Sequence, residues 1–511
     1  MSPLHALIPL PDTLVALGGE WTIPETPAIA VSGPAAAHAV GVLLADYLRE
    51  DIGHRASVHG GDQGAIRLVQ TGDPVADAAG FLPEAYELSV TDAGVLLRAV
   101  SAAGLARGVQ TLRQLLPLTP PWTVPCVRIS DAPAFRWRGL HLDVVRHFFS
   151  VDDVCRLIDQ MALHRFSTFH WHLTDDQGWR IAIAARPRLT AIGAQRGESL
   201  IGDENARPRR YDGIPHGGFY TPADIRRVLA HAAARHIAVI PEIDLPGHMQ
   251  AAVAAYPELG YATGVAVRTH WGISQHVLRA TPATLDFLRE VLGEVMDLFP
   301  GRFIHLGGDE VPTVAWSESA EAQRHLAAIG GSRDSDLHAW FMREAAAIVT
   351  ARGRRVIGWD EIVEVGLPPD ATVMSWRGEQ GGIHAARAGH DVVMAPGSHT
   401  YFDHYQSEQT AAEPLAIGGF TSCEKVYAYE PVPRELEPAH RAHVLGAQGQ
   451  LWSEYIPDRA QLDRMAWPRA AALAEVLWTP AGRRGWPGFQ ARLSAHRARF
   501  AALGILAHPR P

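Results

Sequence analysis

The chain has 511 residues, 47% of them hydrophobic and 20% charged, the proportions of a globular protein with a large core and room for two or three domains. Its formal charge of -9 is spread without any long Lys/Arg run, which leaves no electrostatic footprint for nucleic acid or an anionic membrane. Three widely spaced cysteines, Cys126, Cys155 and Cys423, provide neither a disulfide framework nor a CxxC metal motif.

The opening stretch MSPLHALIPLPDTLVALGGEW lacks a basic segment followed by an unbroken apolar one, and Pro9 interrupts it. No secretory leader is evident, so a cytoplasmic location is expected. No run of about 18 consecutive apolar residues occurs that would span a bilayer. Up to about residue 130 the runs AIRLVQTG, AYELSVTDAGVLLRAVSA and GLARGVQTLRQLL predict strands, a hairpin around Asp92 and Gly94, and a helix. The Pro-rich PLTPPWTVPCVRISDAPAF predicts a linker holding a short strand, and the domain boundary is placed after residue 132.

Beyond it, eight strand-like runs alternate with amphipathic helices: WRGLHLDV, STFHWHL, IAVIPEI, FIHLGGDE, RVIGWDE, ATVMSWR, DVVMAPGS and HVLGAQGQLW. Helix starts are marked by Ser150 with Asp153, by Thr221 with Pro222 and Asp224, and by Thr281 with Pro282. The pattern predicts an α/β chain: a small α+β domain over residues 1–132, then a (β/α)8 barrel with C-terminal helices over 133–511. No GxGxxG or GxxxxGKS occurs, so no nucleotide cofactor is expected, and none of another kind.

In such a barrel the C-terminal strand ends converge on one mouth. Those ends carry Asp143, Arg146, His172, Asp175, Asp176, Glu242, Asp244, His248, Asp309, Glu310, Trp359, Asp360, Trp376, Tyr401, Asp403, Trp452 and Glu454. Trp residues at three different strand ends suggest aromatic walls around a flat ring, with carboxylates for its hydroxyls, which is the composition of a sugar site. A metal reading rests on His170, His172, Asp244 and His248, but no HExxH and no diagnostic triad spacing accompanies them, so no metal is expected. Nucleophilic Ser or Cys chemistry has no GxSxG and no Cys at a strand end.

The blocks RWRGLHLDVVRHFF, HWHLTDDQGWR, PEIDLPGHMQA, HLGGDE, GWDE, MSWRG and GQLWSEY, running in order from about residue 133 to 478, resemble glycoside hydrolase family 20, the β-N-acetylhexosaminidases. The resemblance implies an exo-acting enzyme that removes terminal β-linked N-acetylglucosamine or N-acetylgalactosamine. It implies retention by substrate assistance, the substrate's 2-acetamido oxygen attacking C1 to form an oxazolinium ion. Glu310 is then the general acid and base, Asp309 the partner of the acetamido N–H, and Tyr401 the donor to its oxygen. Trp359, Trp376 and Trp452 enclose the sugar, Arg138 and Glu454 grip its hydroxyls, Asp403 stands at a further substrate contact, and Asp176 and His248 support the acids. Spacing alone favours Arg146 over Arg138 at the mouth, because Arg138 sits early in its strand. The expected partner is an N-acetylhexosamine-terminated oligosaccharide or glycoconjugate. A disaccharide-releasing relative and a catalytically silent sugar-binding protein stand as the alternatives.

Overall fold

The structure is a computed structural model that describes residues 3–77, 79–366 and 370–510. Its first part is a seven-stranded mixed sheet: β1 (Thr13–Thr22), β2 (Ala28–Ser32), β3 (Ser57–Gly60), β4 (Ile66–Gln70), β5 (Tyr86–Thr91), β6 (Gly94–Ala99) and β7 (Thr123–Asp131), in the order β1-β7-β5-β6-β4-β2-β3. Helices α1 (Ala35–Ile52) and α2 (Ala102–Leu115) contribute the apolar residues that cover the sheet. The hairpin at Asp92 and Gly94 joins β5 to β6.

The strand expected in the Pro-rich stretch is present, but it belongs to the sheet rather than to a linker. Residues 123–131 form an internal strand, paired antiparallel with both β1 and β5. Pro125 is accommodated because it lies beyond the β5 pairing, next to a bulge opposite Ala16–Glu20, where no second ladder needs its missing N–H.

The second part is a closed parallel barrel of eight strands, β8 (Trp137–Asp143), β9 (Thr168–His172), β10 (Ala238–Glu242), β11 (Phe303–His305), β12 (Arg355–Trp359), β13 (Thr372–Ser375), β14 (Val392–Met394) and β15 (Val444–Gly449). Every predicted run supplies one of them. The helices α3 (Val151–Leu163), α4 (Pro222–Ala234) and α5 (Pro282–Leu298) start as predicted: Ser150 and Thr221 close capping boxes with Asp153 and Asp224, and Thr281 accepts from the Thr284 N–H. Among the described residues no helix is long and apolar enough to cross a membrane.

Side chains alternate along each strand, so one residue set faces the barrel axis and the other the helices. Inward-facing Trp137, Ile240, Phe303, Ile357 and Met374 make an apolar plug. Above it lies a polar layer built from His141, His170, His172, Glu242, His305 and Gln448, all fully buried. The functional pocket sits on top of that layer.

Candidate active site

Two glycines deliver the acids to the mouth. After β11 the chain turns through Gly307 (φ +64°) and Gly308 (φ +93°), left-handed conformations that favour glycine. A Cβ on Gly307 would fall 1.7 Å from Asp244 Oδ1, and the Gly308 N–H donates to that same oxygen at 3.2 Å. Asp309 and Glu310 follow, and Glu310 is itself left-handed at φ +49°.

The pocket they enter measures about 520 Å³. Of the predicted residues, Asp309, Glu310, His248, Trp359, Trp376, Tyr401, Asp403, Trp452 and Glu454 all line it. The Trp376 and Tyr401 rings stack with centroids 6.2 Å apart and planes 22° apart, and Trp359 tilts against Trp452 at 5.9 Å. Tyr401 is held in place by a bridge to Gln450, just beyond β15, through reciprocal 2.8 Å backbone bonds of residues 400, 402 and 450.

Burial shapes the electrostatics. Asp309 is raised to about 6, first by burial and then by Glu310 and Glu242, with His248 opposing. Glu361, which accepts from the Trp376 indole N–H at 2.9 Å, is raised to about 8 by burial and by Asp309. Burial also holds the Tyr401 hydroxyl well above its ordinary value, so it remains an O–H donor, and Asp403 is raised well above the carboxylate range by burial and Glu454. Asp309 Oδ1, Asp403 Oδ1, Glu454 Oε2 and His248 Nε2 are buried without a hydrogen-bond partner among the described residues. Buried polar atoms are ordinarily satisfied, so this group is arranged for hydrogen bonds to a bound molecule.

Two predicted residues lie elsewhere. Arg138 is the correction. Trp137, His141 and Asp143 of β8 face the axis, so alternation turns Arg138 outward at the strand's N-terminal end, away from the mouth. There its guanidinium donates to the carbonyls of Arg165 (2.8 Å) and Phe135 (2.8 Å) and pairs with Glu84 of the first domain at 2.8 Å. Arg146, favoured by spacing, is the arginine that lines the pocket, 2.8 Å from Asp175, 3.1 Å from Asp143 and 3.8 Å from Glu454. Burial opposes its charge, but these carboxylates outweigh burial and keep it protonated.

Asp176 lies behind the wall, where its carboxylate accepts from the N–H groups of Gln250 (3.0 Å) and Ser274 (3.1 Å), which makes it an anchor for those loops. Its neighbour Asp175 is the closer of the two to His248, Oδ1 to Nδ1 at 3.1 Å, with Asp176 Oδ2 3.6 Å from the same nitrogen. His248 Nε2 in turn faces Glu310 at 3.5 Å and Asp309 at 3.7 Å. A place just past the C-terminal end of β8 carries the signal for Arg146. No sequence signal marks Ile273 or Ile417–Gly419, loop residues that complete the pocket lining.

Among the described residues, four groups of His and carboxylate have donor spacing close enough for a cation: His141/His172/Glu242, His170/Glu242/His305, Asp175/Asp176/His248 and Asp244/His248/Asp309. All share Glu242 or His248, whose contacts to neighbouring rings and carboxylates fall at 2.5–3.7 Å. Within these groups, close imidazole–carboxylate contacts join Glu242 to His170, His172 and His305, and His248 to Asp175.

Comparison with known proteins agrees with this geometry. The family model described as "Glycosyl hydrolase family 20, catalytic domain" matches residues 135–481, and "Glycosyl hydrolase family 20, domain 2" matches residues 4–132. A β-hexosaminidase of Porphyromonas gingivalis is 41% identical over 98% of this chain, which spans 64% of that protein's own length. A β-N-acetylhexosaminidase of Cellulomonas fimi is 35% identical, covering 100% of this chain and 97% of its own. The crystal structure of a Vibrio harveyi exo-β-N-acetylglucosaminidase with N-acetylglucosamine superposes with a TM-score of 0.87 at 33% identity, covering 99% of this chain and 79% of that one. That of Streptomyces plicatus N-acetyl-β-hexosaminidase with thio-NAglucal gives 0.85 at 35% identity, covering 100% and 97%. Because the catalytic-domain match alone takes in more than half of the sequence and contains every residue lining the pocket, the chain belongs to glycosyl hydrolase family 20.

Proposed function

We propose that this protein is an exo-acting β-N-acetylhexosaminidase. It removes terminal β-linked GlcNAc or GalNAc from an oligosaccharide or glycoconjugate with retention, through the substrate's own acetamido group. The observation that carries the reading is the pairing of a more exposed Glu310 with a buried Asp309 at the mouth of an aromatic pocket whose far side offers unpartnered carboxylate oxygens. An ordinary retaining glycosidase sets two carboxyls facing each other across the bond, about 5 Å apart, whereas consecutive residues are suited to separate atoms of one sugar.

The chemistry follows from the placements. Glu310 gives its proton to the glycosidic oxygen as the C1–O bond breaks, while the acetamido oxygen forms a bond to C1 and closes the oxazolinium ring. Asp309 accepts the acetamido N–H and balances the positive charge. The Tyr401 O–H orients the attacking oxygen. Glu310, now a carboxylate, takes a proton from water, which adds to C1 from the side the aglycone left and reopens the ring. Trp359, Trp376 and Trp452 wall the pyranose, and Asp403, Glu454 and Arg146 meet its distal hydroxyls. The relatives' names and the N-acetylglucosamine complex support the choice of sugar.

The test is a series of nitrophenyl glycosides whose N-acetyl group carries zero to three fluorines. Each fluorine withdraws electrons from the acetamido oxygen at nearly constant size, so kcat/KM is expected to fall stepwise. A flat series would restore a carboxylate nucleophile.

A further inference from the structure

The polar layer under the pocket is unusual for the interior of a packed barrel, where branched aliphatic side chains dominate. Its centre is Glu242, at the end of β10 and fully buried. Oε1 accepts from the Trp359 indole N–H at 2.9 Å and lies 3.0 Å from His305 Nδ1. Oε2 lies 2.5 Å from His172 Nδ1 and 3.2 Å from His170 Nε2. The other nitrogen of His172, Nε2, lies 3.1 Å from Asp175 Oδ2.

An imidazole with a carboxylate on each nitrogen donates from both, so His172 is an imidazolium. Asp175 then continues to His248, and His248 to the two acids. Carboxyl and imidazole groups alternate along the whole path from Glu242 through His172, Asp175 and His248 to Asp309 and Glu310. The directions of titration agree. Burial works against every charge, yet Glu242 and Asp175 are held well below the carboxylate range, and His172 and His248 well above the imidazole value, by their partners. Other charged or titratable neighbours of the path are Arg146, on Asp175, Asp143 and Glu454, Asp176, whose Oδ2 lies 3.6 Å from His248 Nδ1, and Asp244, within 4.8 Å of His248 and Asp309.

A carboxylate at this depth costs several kcal/mol to desolvate, and an aliphatic layer would pack the barrel without that cost. We infer that Glu242 is a positioning residue for the reaction: through His172 and Asp175 it sets the charge and orientation of His248 beneath Asp309 and Glu310, and through the indole N–H it fixes the Trp359 wall. The inference rests on the assignment of Glu310 as acid and base.

Glu242→Gln tests it, because the amide keeps the shape but in either orientation turns an NH2 toward donors, and it removes the counter-charge of His172. With the folded variant, turnover of an N-acetylhexosaminide disaccharide is expected to fall on the order of ten- to a hundredfold. A nitrophenyl glycoside, which needs less help from a proton, is expected to lose less. If Glu242 acts through Asp175, adding Glu242→Gln to Asp175→Asn costs less than threefold more on the disaccharide, because a severed path cannot be severed twice. Full activity in folded Glu242→Gln, or losses that multiply in the double variant, would overturn the inference. If that variant fails to fold, His172→Gln breaks the same path; equal losses on both substrates in that variant would overturn it as well. Failure of the wild type to hydrolyse either substrate would instead sink the proposed activity.

Discussion

Asp309 and Glu310 are consecutive, yet the Asp309 side chain is 12% exposed and that of Glu310 33%. The left-handed backbone at Glu310 separates their headings, so one acid is enclosed by the pocket and the other faces its opening. This division lets two neighbours do different work on one sugar.

Glu310→Gln removes proton transfer without changing shape. Turnover is expected to fall on the order of 100-fold or more, with KM little changed. The loss should be larger for a disaccharide than for a nitrophenyl glycoside. Equal losses on the two substrates would show that Glu310 is not the acid.

Asp309 must be ionised to balance the oxazolinium charge, and in the free protein it is raised to about 6. The kcat/KM profile, which reports groups of the free enzyme, is therefore expected to fall on the acid side through about pH 6. An acid limb near pH 4, the range of an ordinary carboxylate, would mean that another group sets it.

The two arginines of the first barrel strand and its loop separate function from stability. Arg146→Ala is expected to raise KM and lower kcat together, by removing the cation between Asp175 and Glu454. Arg138→Met leaves Glu84 buried with only Arg107 at 2.6 Å and is expected to cost about 3–5 kcal/mol of stability with kinetics per folded molecule unchanged. Denaturant unfolding and steady-state kinetics on both variants check the assignment, and altered KM in Arg138→Met would reverse it.

Glu361 is raised to about 8, so it is protonated at neutral pH, and Glu361→Gln mimics that state. Activity at pH 7 is expected to stay within about threefold of wild type. The folded wild type holds this proton more tightly than the unfolded chain, so the group's contribution to stability is fully present below pH 4.5 and is lost as pH rises to about 8. The Tm advantage of Glu361→Gln should therefore grow across that interval and level off above it. A difference independent of pH would mean that Glu361 titrates normally.

The eight barrel strands were legible because each is a short run rich in apolar and aromatic residues, as burial on both faces favours, and because hydroxyl and carboxylate caps mark three helix starts. The adjacent acids, the tryptophans and Tyr401 were legible for a related reason: residues at strand ends must converge in a closed barrel, so their positions along the chain already imply proximity. Other features depended on which way a side chain faces. Arg138 and Arg146 differ by the end of the first barrel strand at which they lie, one within its start and the other just past its C-terminus, and Asp175 and Asp176 by one residue of rotation. A resemblance between motifs does not encode either difference, whereas packing against Glu84 on one side and His248 on the other does. The first sixty residues, and the internal place in the sheet of the strand expected in the Pro-rich stretch, were opaque because their pairing is long-range: β7 lies between β1 and β5. Local sequence set the elements and the chemical inventory of the mouth. Only the closed barrel decided that Glu242, four histidines and Trp359 meet beneath it, since those contacts join five different strands and no one strand specifies another's rotation.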